Sequence, residues 1–184
     1  MSERQRADAR RNYARILAAA EREVAAQGAG ASLEKIARAA GVGSATVRRH
    51  FPTRRALLEA VHEQRLAALC ARARELAALD DSRTALLTWL ADLVAHSVSA
   101  RGLAVALAYD GPTADNTCTA VLEEAAGPLL RRAVEDGAVA ARVTFSDLVT
   151  LVVGIVLATE RHPDPAASAD RLFQLAVRGV GPEG

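Results

Sequence analysis

One thirty-residue stretch, SLEKIARAAGVGSATVRRHFPTRRALLEAV at positions 32–61, constrains the fold of this 184-residue chain more than any other. It places a small residue at Ala37, a glycine four positions later at Gly41, and an apolar residue six positions after that at Val47. The small side chain of Ala37 lets a second helix cross over the first, and Gly41 supplies the left-handed backbone of a sharp turn. The apolar side chain of Val47 packs the second helix against the first. The spacing predicts a helix-turn-helix whose second helix covers about residues 44–50.

The outer face of that second helix is polar and basic. With Val47 and Phe51 facing inward, the side chains left on or near the outer face, where such a helix reads a major groove, are those of Ser44, Ala45, Arg48 and Arg49. We therefore predict DNA contacts from ten residues in and around the motif: Ser32, Ser44, Ala45, Thr46, Arg48, Arg49, His50, Thr53, Arg54 and Arg55.

Arg54 and Arg55 follow Thr53, which is placed to cap the next helix. The positive end of the helix dipole disfavours a cation there by about 0.3–1 kcal/mol. A bound phosphate reverses the sign, because free backbone N–H groups, the dipole and the guanidinium groups all favour an anion. The position predicts phosphate contacts, and the alternative is that both arginines point into solvent.

The charge of the chain is divided unevenly along its length. Residues 1–65 carry 13 Lys/Arg against 7 Asp/Glu, a net of +6, whereas residues 66–184 carry 10 against 15, a net of −5. A basic head of this kind fits a polyanionic partner, for which nucleic acid is the first candidate.

Helical periodicity runs through the whole chain, and no segment alternates with the period of two that a strand shows. The most apolar run, LVTLVVGIVLAT at 148–159, has the β-branched residues of a strand, yet its flanks continue a helical pattern, and it is too short to span a bilayer. We predict an all-α fold of about nine helices, with a three-helix DNA-binding domain over 1–53 and a second helical domain over 54–184, to which the family resemblance described below assigns ligand binding and dimerisation. The predicted helices cover about 10–27, 32–41, 44–50, 53–79, 82–100, 103–109, 115–136 (with a possible kink at Gly127-Pro128), 144–160 and 165–180.

The stretch at 32–61 resembles the DNA-binding domain of TetR-family transcriptional regulators. The small-residue helix-turn-helix, the HF pair at 50–51, the following proline, the helix cap and the sequence ALLEAV appear in the order that this family has. The resemblance implies a homodimer on a palindromic operator in double-stranded DNA. It also implies a C-terminal domain that binds a small-molecule effector and controls the fit to DNA, most often in a cytoplasmic bacterial repressor.

The chain departs from the family pattern at two positions of the motif. Arg48 stands where the family usually has an aromatic residue, commonly tyrosine, and Ser44 replaces a lysine often found near the start of the recognition helix. An arginine can contact phosphate or the O6/N7 edge of guanine, so DNA binding is still expected. The usual aromatic contact to the DNA backbone does not carry over.

The body of the chain offers a candidate dimer interface. The apolar run at 148–159 needs burial on more than one side, Gly154 permits close approach of two helices, and the last helix adds a second apolar surface. We predict a four-helix interface from residues 144–180 of two chains, contributed by Leu148, Leu151, Val152, Ile155, Leu172, Phe173, Leu175 and Ala176. The alternative is a large internal core.

The few aromatic residues in the body of the chain suggest where an effector site lies. Trp89, Leu93 and His96 share one face of their helix, and Trp89 and Tyr109 are the only aromatic residues between Phe51 and Phe145. With Thr117 and Cys118 they form the candidate pocket. The alternative is that Trp89 fills the core.

Other classes of protein find less support. Glu59 and His62 form an E-x-x-H pair, but a di-iron bundle needs a second copy, which the chain lacks, so an enzyme, a metal site and a cofactor are not predicted. Cys70 and Cys118 are far apart and lack neighbours at metal-ligand spacing. The chief rival is a constitutive or architectural DNA-binding protein without an effector; a membrane role is not predicted.

Overall fold

The computed structural model describes residues 3–27, 31–108 and 115–178. These residues form eight α-helices and no strand: α1 (Glu3–Gln27), α2 (Leu33–Ala40), α3 (Ser44–His50), α4 (Arg54–Leu76), α5 (Ser82–Ala108), α6 (Asp115–Glu135), α7 (Phe145–Thr159) and α8 (Pro165–Arg178). The all-α fold class is confirmed. The apolar run at 148–159 is helical, as its flanks predict, so tertiary packing overrides the strand propensity of its β-branched residues.

Two helices differ from the predicted bounds by more than three residues or in number. The segments 82–100 and 103–109 were predicted as separate helices, but the chain runs through Gly102 in a single α5. One glycine inside a helix costs about 1 kcal/mol, which is less than the cost of starting a new helix. At the other end of the chain, α1 begins at Glu3 instead of Arg10, because its first two turns consist mainly of good helix formers.

The described residues divide into two compact units. The first lies within Met1–Gln64 and Ser99–Thr113, and the second within Arg65–Val98 and Ala114–Gly184. Each unit has its own hydrophobic core. The functional division after Thr53 that the sequence suggests stays a prediction.

The core of the first unit joins the first four helices. The spacing of Tyr13, Ile16, Leu17, Ala20 and Val24 predicts one apolar stripe along α1, and all of these except Tyr13 are buried. Ile36, Val47 and Val61 are almost fully shielded from solvent as well. These side chains fix α3 against α1 and α2 and leave its opposite face exposed.

The core of the second unit is built around Trp89, which has no exposed surface. Its indole N–H donates a hydrogen bond to the Leu69 carbonyl over 3.1 Å, and its ring lies 5.8 Å from that of Phe145, centroid to centroid. The Arg132 guanidinium donates to the carbonyls of three residues that follow the end of α4, Ala77, Leu79 and Asp80, and so closes the turn after that helix. None of the described helices has the length and apolarity to cross a membrane.

Candidate nucleic-acid interface

The turn between α2 and α3 has the geometry that the spacing of small residues predicts. Gly41 adopts φ 63° and ψ 38°, the left-handed conformation, and its N–H donates to the Arg38 carbonyl over 3.1 Å. The Val42 N–H donates to the Ala37 carbonyl over 3.0 Å, which completes the closure of α2. Ala37 and Val47 are buried. The helix-turn-helix is therefore formed as its sequence requires.

The start of α2 is fixed to α1 through Glu23. The Ser32 hydroxyl caps α2 by accepting the Lys35 N–H over 3.4 Å, while the Ser32 backbone N–H donates to Glu23 Oε1 over 3.3 Å. The Lys35 ammonium lies 3.7 Å from the same carboxylate oxygen. Both polar groups of Ser32 are thus engaged within the unit, and its predicted contact with DNA stays a prediction.

The outer face of α3 is open and cationic. Ser44, Ala45, Arg48 and Arg49 are exposed, whereas Thr46 and His50 are half-buried. Within the part of the chain that the structure describes, no carboxylate pairs with Arg48 or Arg49. Two guanidinium groups on an exposed recognition helix without counter-ions are suited to bind phosphates or guanine edges.

An aromatic cluster closes the end of α3. The Tyr13 ring of α1 lies 5.0 Å from the Phe51 ring and 6.0 Å from the His50 ring, centroid to centroid. Phe51 is buried, as predicted, but Tyr13 retains 38% of its surface exposed. The sequence places Tyr13 in the apolar stripe of α1, and only the structure brings it beside the exposed end of α3.

The two arginines that begin α4 have different surroundings. The Thr53 hydroxyl accepts the Ala56 N–H over 3.0 Å, which confirms the predicted cap. Arg54 is exposed, and no described carboxylate contacts it. Arg55 Nε donates to Glu59 Oε1 over 2.7 Å, so one edge of its guanidinium is already occupied. Arg54 is therefore the more available of the two for a phosphate.

The residues predicted to bind an effector differ in how deeply they are buried, and some lie outside the described residues. Trp89 and Leu93 are buried in the core of the second unit, and His96 is half-buried. Cys118 is half-buried as well, while Tyr109 and the side chain of Thr117 lie outside the described residues. An effector pocket at these positions stays a prediction. In the described residues no group of three or more His, Cys, Asp or Glu side chains could hold a metal ion.

The residues predicted for the dimer interface fall into two groups. Val152, Ile155 and Phe173 are buried in the core of their own chain, and Leu148 and Leu172 pack partly against it. Leu151, Leu175 and Ala176 are exposed. Two further apolar side chains, Val153 and Leu157, are exposed on α7, where the sequence did not single them out.

The exposed positions of α7 form one continuous face around Gly154. Thr150, Leu151, Val153, Leu157 and Ala158 surround Gly154 on this side of the helix, and all are exposed. A Cβ atom added to Gly154 would meet nothing within 4 Å. This face is apolar and open at its centre.

Comparison with known proteins gives matches to both parts of the chain. The family model for bacterial regulatory proteins of the tetR family matches residues 16–61. A second model, for the C-terminal domain of SbtR-like transcriptional regulators, matches residues 81–182. A search of curated proteins found no match.

Solved structures match over nearly the full length. A TetR transcriptional regulator from Streptomyces coelicolor is 33% identical with a TM-score of 0.76, and the match covers 94% of this chain and 99% of that one. A TetR regulatory protein from Mycobacterium vanbaalenii is 34% identical with a TM-score of 0.75, covering 95% and 98%. The structure of RolR in complex with resorcinol is 26% identical with a TM-score of 0.50, covering 96% and 90%.

Proposed function

The chain belongs to the TetR family of bacterial transcriptional regulators, and from that premise we propose that it is a repressor, released from a palindromic operator by a small-molecule effector. It acts as a homodimer in the bacterial cytoplasm and catalyses no reaction. The first unit of each of the two chains binds one of two successive major grooves of double-stranded DNA through α3.

The observation that carries this proposal is the exposed cationic face at α3 and the start of α4. Arg48, Arg49 and Arg54 project from elements that Gly41 and the Thr53 cap hold in place, and none of the three contacts a described carboxylate. Three exposed cations within the seven residues 48–54, without counter-ions, contribute no attraction that stabilises an isolated domain. A polyanion supplies the missing counter-ions and gains charge-assisted hydrogen bonds.

Selection of bound sequences from random duplex DNA by the purified protein tests operator recognition. We expect enrichment of an inverted repeat, because each chain of a two-fold dimer reads one half-site. Binding without sequence preference would contradict the repressor and favour the architectural alternative. A protein that retains no duplex DNA at all at low salt would overturn DNA recognition by this chain.

Dimerisation is supported by the apolar face of α7 and by the exposed leucine of α8. Leu151, Leu157 and Leu175 are 42%, 58% and 44% exposed in the single chain. Burial of a fully exposed leucine side chain is worth about 1.5–3 kcal/mol, so covering the exposed half of each of these side chains gains about half of that, and a two-fold contact repeats the gain on both chains.

Gly154→Leu tests this dimer without disturbing the single chain. The space around Gly154 is open, and leucine is a better helix former than glycine, so the monomer keeps its fold. Two copies of the new side chain would block close approach of the helices. We expect light scattering to give a dimeric mass for the wild type and a monomeric mass for the variant. Ala18→Leu, on the exposed side of α1 in the first unit, is the control and should stay dimeric. A monomeric wild type, or a variant that is as dimeric as the wild type, would contradict this interface.

Effector binding is supported by membership of the family and by the similarity to RolR, a protein whose structure was solved with resorcinol. Trp89 is the only tryptophan in the chain, so its fluorescence reports on the predicted pocket without a label. We expect small aromatic compounds that release the protein from its operator to change this fluorescence, and His96→Ala to weaken the response. An effector that releases DNA equally well from the His96 variant would contradict the pocket assignment.

A further inference from the structure

The helix α1 continues for three turns beyond the part of it that packs in the core. Its buried face in the first unit is formed by Leu17, Ala20 and Val24. Extended toward the N-terminus with the same alternation of three and four residues, this face passes through Tyr13 to Arg10 and Arg6. The packing stripe of the helix thus becomes basic where the core ends.

The charges on this stripe have no counter-ions among the described residues. Arg6 and Arg10 are exposed, and no described carboxylate pairs with either of them. Arg11, which lies off the stripe, is instead paired with Asp8. A surface helix normally places its charges opposite its packing face, so unpaired arginines on the packing face are not explained by the fold of the unit.

Tyr13 places the stripe beside the end of the recognition helix. Its ring packs on Phe51 and on His50, and His50 is the last residue of α3, directly after Arg48 and Arg49. The described part of the chain provides no hydrogen-bond partner for the Tyr13 hydroxyl. The ring therefore belongs to the unit, and its polar end is available to a ligand.

We infer that Arg6, Arg10 and Tyr13 form a second DNA-binding surface, outside the helix-turn-helix, that holds backbone phosphates flanking the bases read by α3. The two guanidinium groups donate charge-assisted hydrogen bonds to phosphate oxygens, and the Tyr13 hydroxyl donates a further one. This inference rests on the proposed function, since it requires α3 to lie on DNA. Contacts of this kind raise affinity for every sequence and select none.

The double variant R6Q/R10Q tests the surface. Glutamine is nearly as good a helix former as arginine, so α1 is kept. Each lost phosphate contact makes the negative slope of log K against log[salt] shallower by about 0.9, so an affinity that is unchanged at 1 M salt is about eightfold weaker at 0.1 M. We expect the slope of R6Q/R10Q to be shallower by about 1.8 for each bound chain, with the same loss of affinity on the selected operator and on random duplex DNA. Fluorescence anisotropy with labelled duplexes over a salt series measures both quantities.

The control is R142Q/R161Q, which removes the same charge from two exposed arginines of the second unit. A slope for R6Q/R10Q equal to that of the control would overturn the inference, as would a loss of affinity confined to the operator.

The variant Y13F, which removes only the hydroxyl, tests Tyr13. It should lower the affinity for both duplexes a few-fold and leave the thermal midpoint unchanged. An affinity equal to that of the wild type would show that Tyr13 is not part of the surface. If the wild type itself binds neither duplex, the proposed function fails. This result is distinguishable from failure of the second surface alone, in which the wild type still binds both duplexes.

Discussion

Replacement of Gly41 by alanine tests the turn on which the orientation of α3 depends. Gly41 has φ 63°, and a residue with a side chain pays about 1–2 kcal/mol to adopt this left-handed conformation. The added Cβ would lie 2.6 Å from Arg15 Nη2, which is the tip of a flexible, exposed side chain and can move away, so the backbone conformation dominates the cost. We expect Gly41→Ala to lower the free energy of unfolding by about 1–2 kcal/mol, measured by urea titration.

Gly43 provides a control two residues away in the same turn. Its φ of −72° and ψ of 150° suit any residue, and an added Cβ would meet nothing within 4 Å. Gly43 is also the N-cap of α3, where alanine is poorer than glycine, but alanine lowers the conformational entropy of the unfolded chain by a comparable amount, so Gly43→Ala should change the free energy of unfolding by about 0.5 kcal/mol or less. Gly41→Asn should recover part of the loss, because asparagine tolerates the left-handed conformation. Equal destabilisation by alanine at the two glycines would show that backbone strain at Gly41 does not govern the turn.

Three further substitutions test the second unit and the reading face. Trp89→Phe should lower the free energy of unfolding by about 1–3 kcal/mol, since it removes the buried hydrogen bond to Leu69 and leaves a cavity; an unchanged urea midpoint would contradict this. Thr144 caps α7, and its hydroxyl and backbone N–H both donate to Asp147 Oδ2, which holds the pKa of Asp147 below its usual value. The stabilising effect of Asp147 is therefore complete above the unfolded pKa near 3.9 and is lost as the pH falls through the lower folded pKa. Asp147→Asn should thus flatten the decline of the urea midpoint below about pH 4, and an equally steep decline in the variant would refute the assignment. Arg48→Tyr should change operator preference or affinity, measured by anisotropy, more than Arg55→Tyr does, because Glu59 already occupies one edge of Arg55; equal effects would mean that α3 does not read the groove.

The first unit was predictable because its determinants are local. Three of its predicted features depend on residues within one or two turns: the conformation of Gly41, the burial of Val47 and the cap at Thr53. The structure has all three as the sequence predicts. The position of Tyr13 beside α3 is different, because it depends on contact between residues almost forty positions apart. Periodicity identifies the face on which such a residue lies and does not identify its neighbour.

The second unit marks the limit of the same approach, and Trp89 shows why. A lone large aromatic residue on a helix face has one sequence pattern whether it lines a ligand pocket or fills a core. In the structure its side chain is fully buried, its N–H is satisfied by Leu69 and its ring lies beside Phe145, which is the arrangement expected of core packing. A ligand wall at this position would have to form through a rearrangement that separates these partners. The fluorescence titration and Trp89→Phe together test whether Trp89 lines the effector pocket or only fills the core. If the variant loses much of its free energy of unfolding and the tryptophan fluorescence does not respond to the effector, Trp89 belongs to the core alone. The effector site must then be sought among other residues.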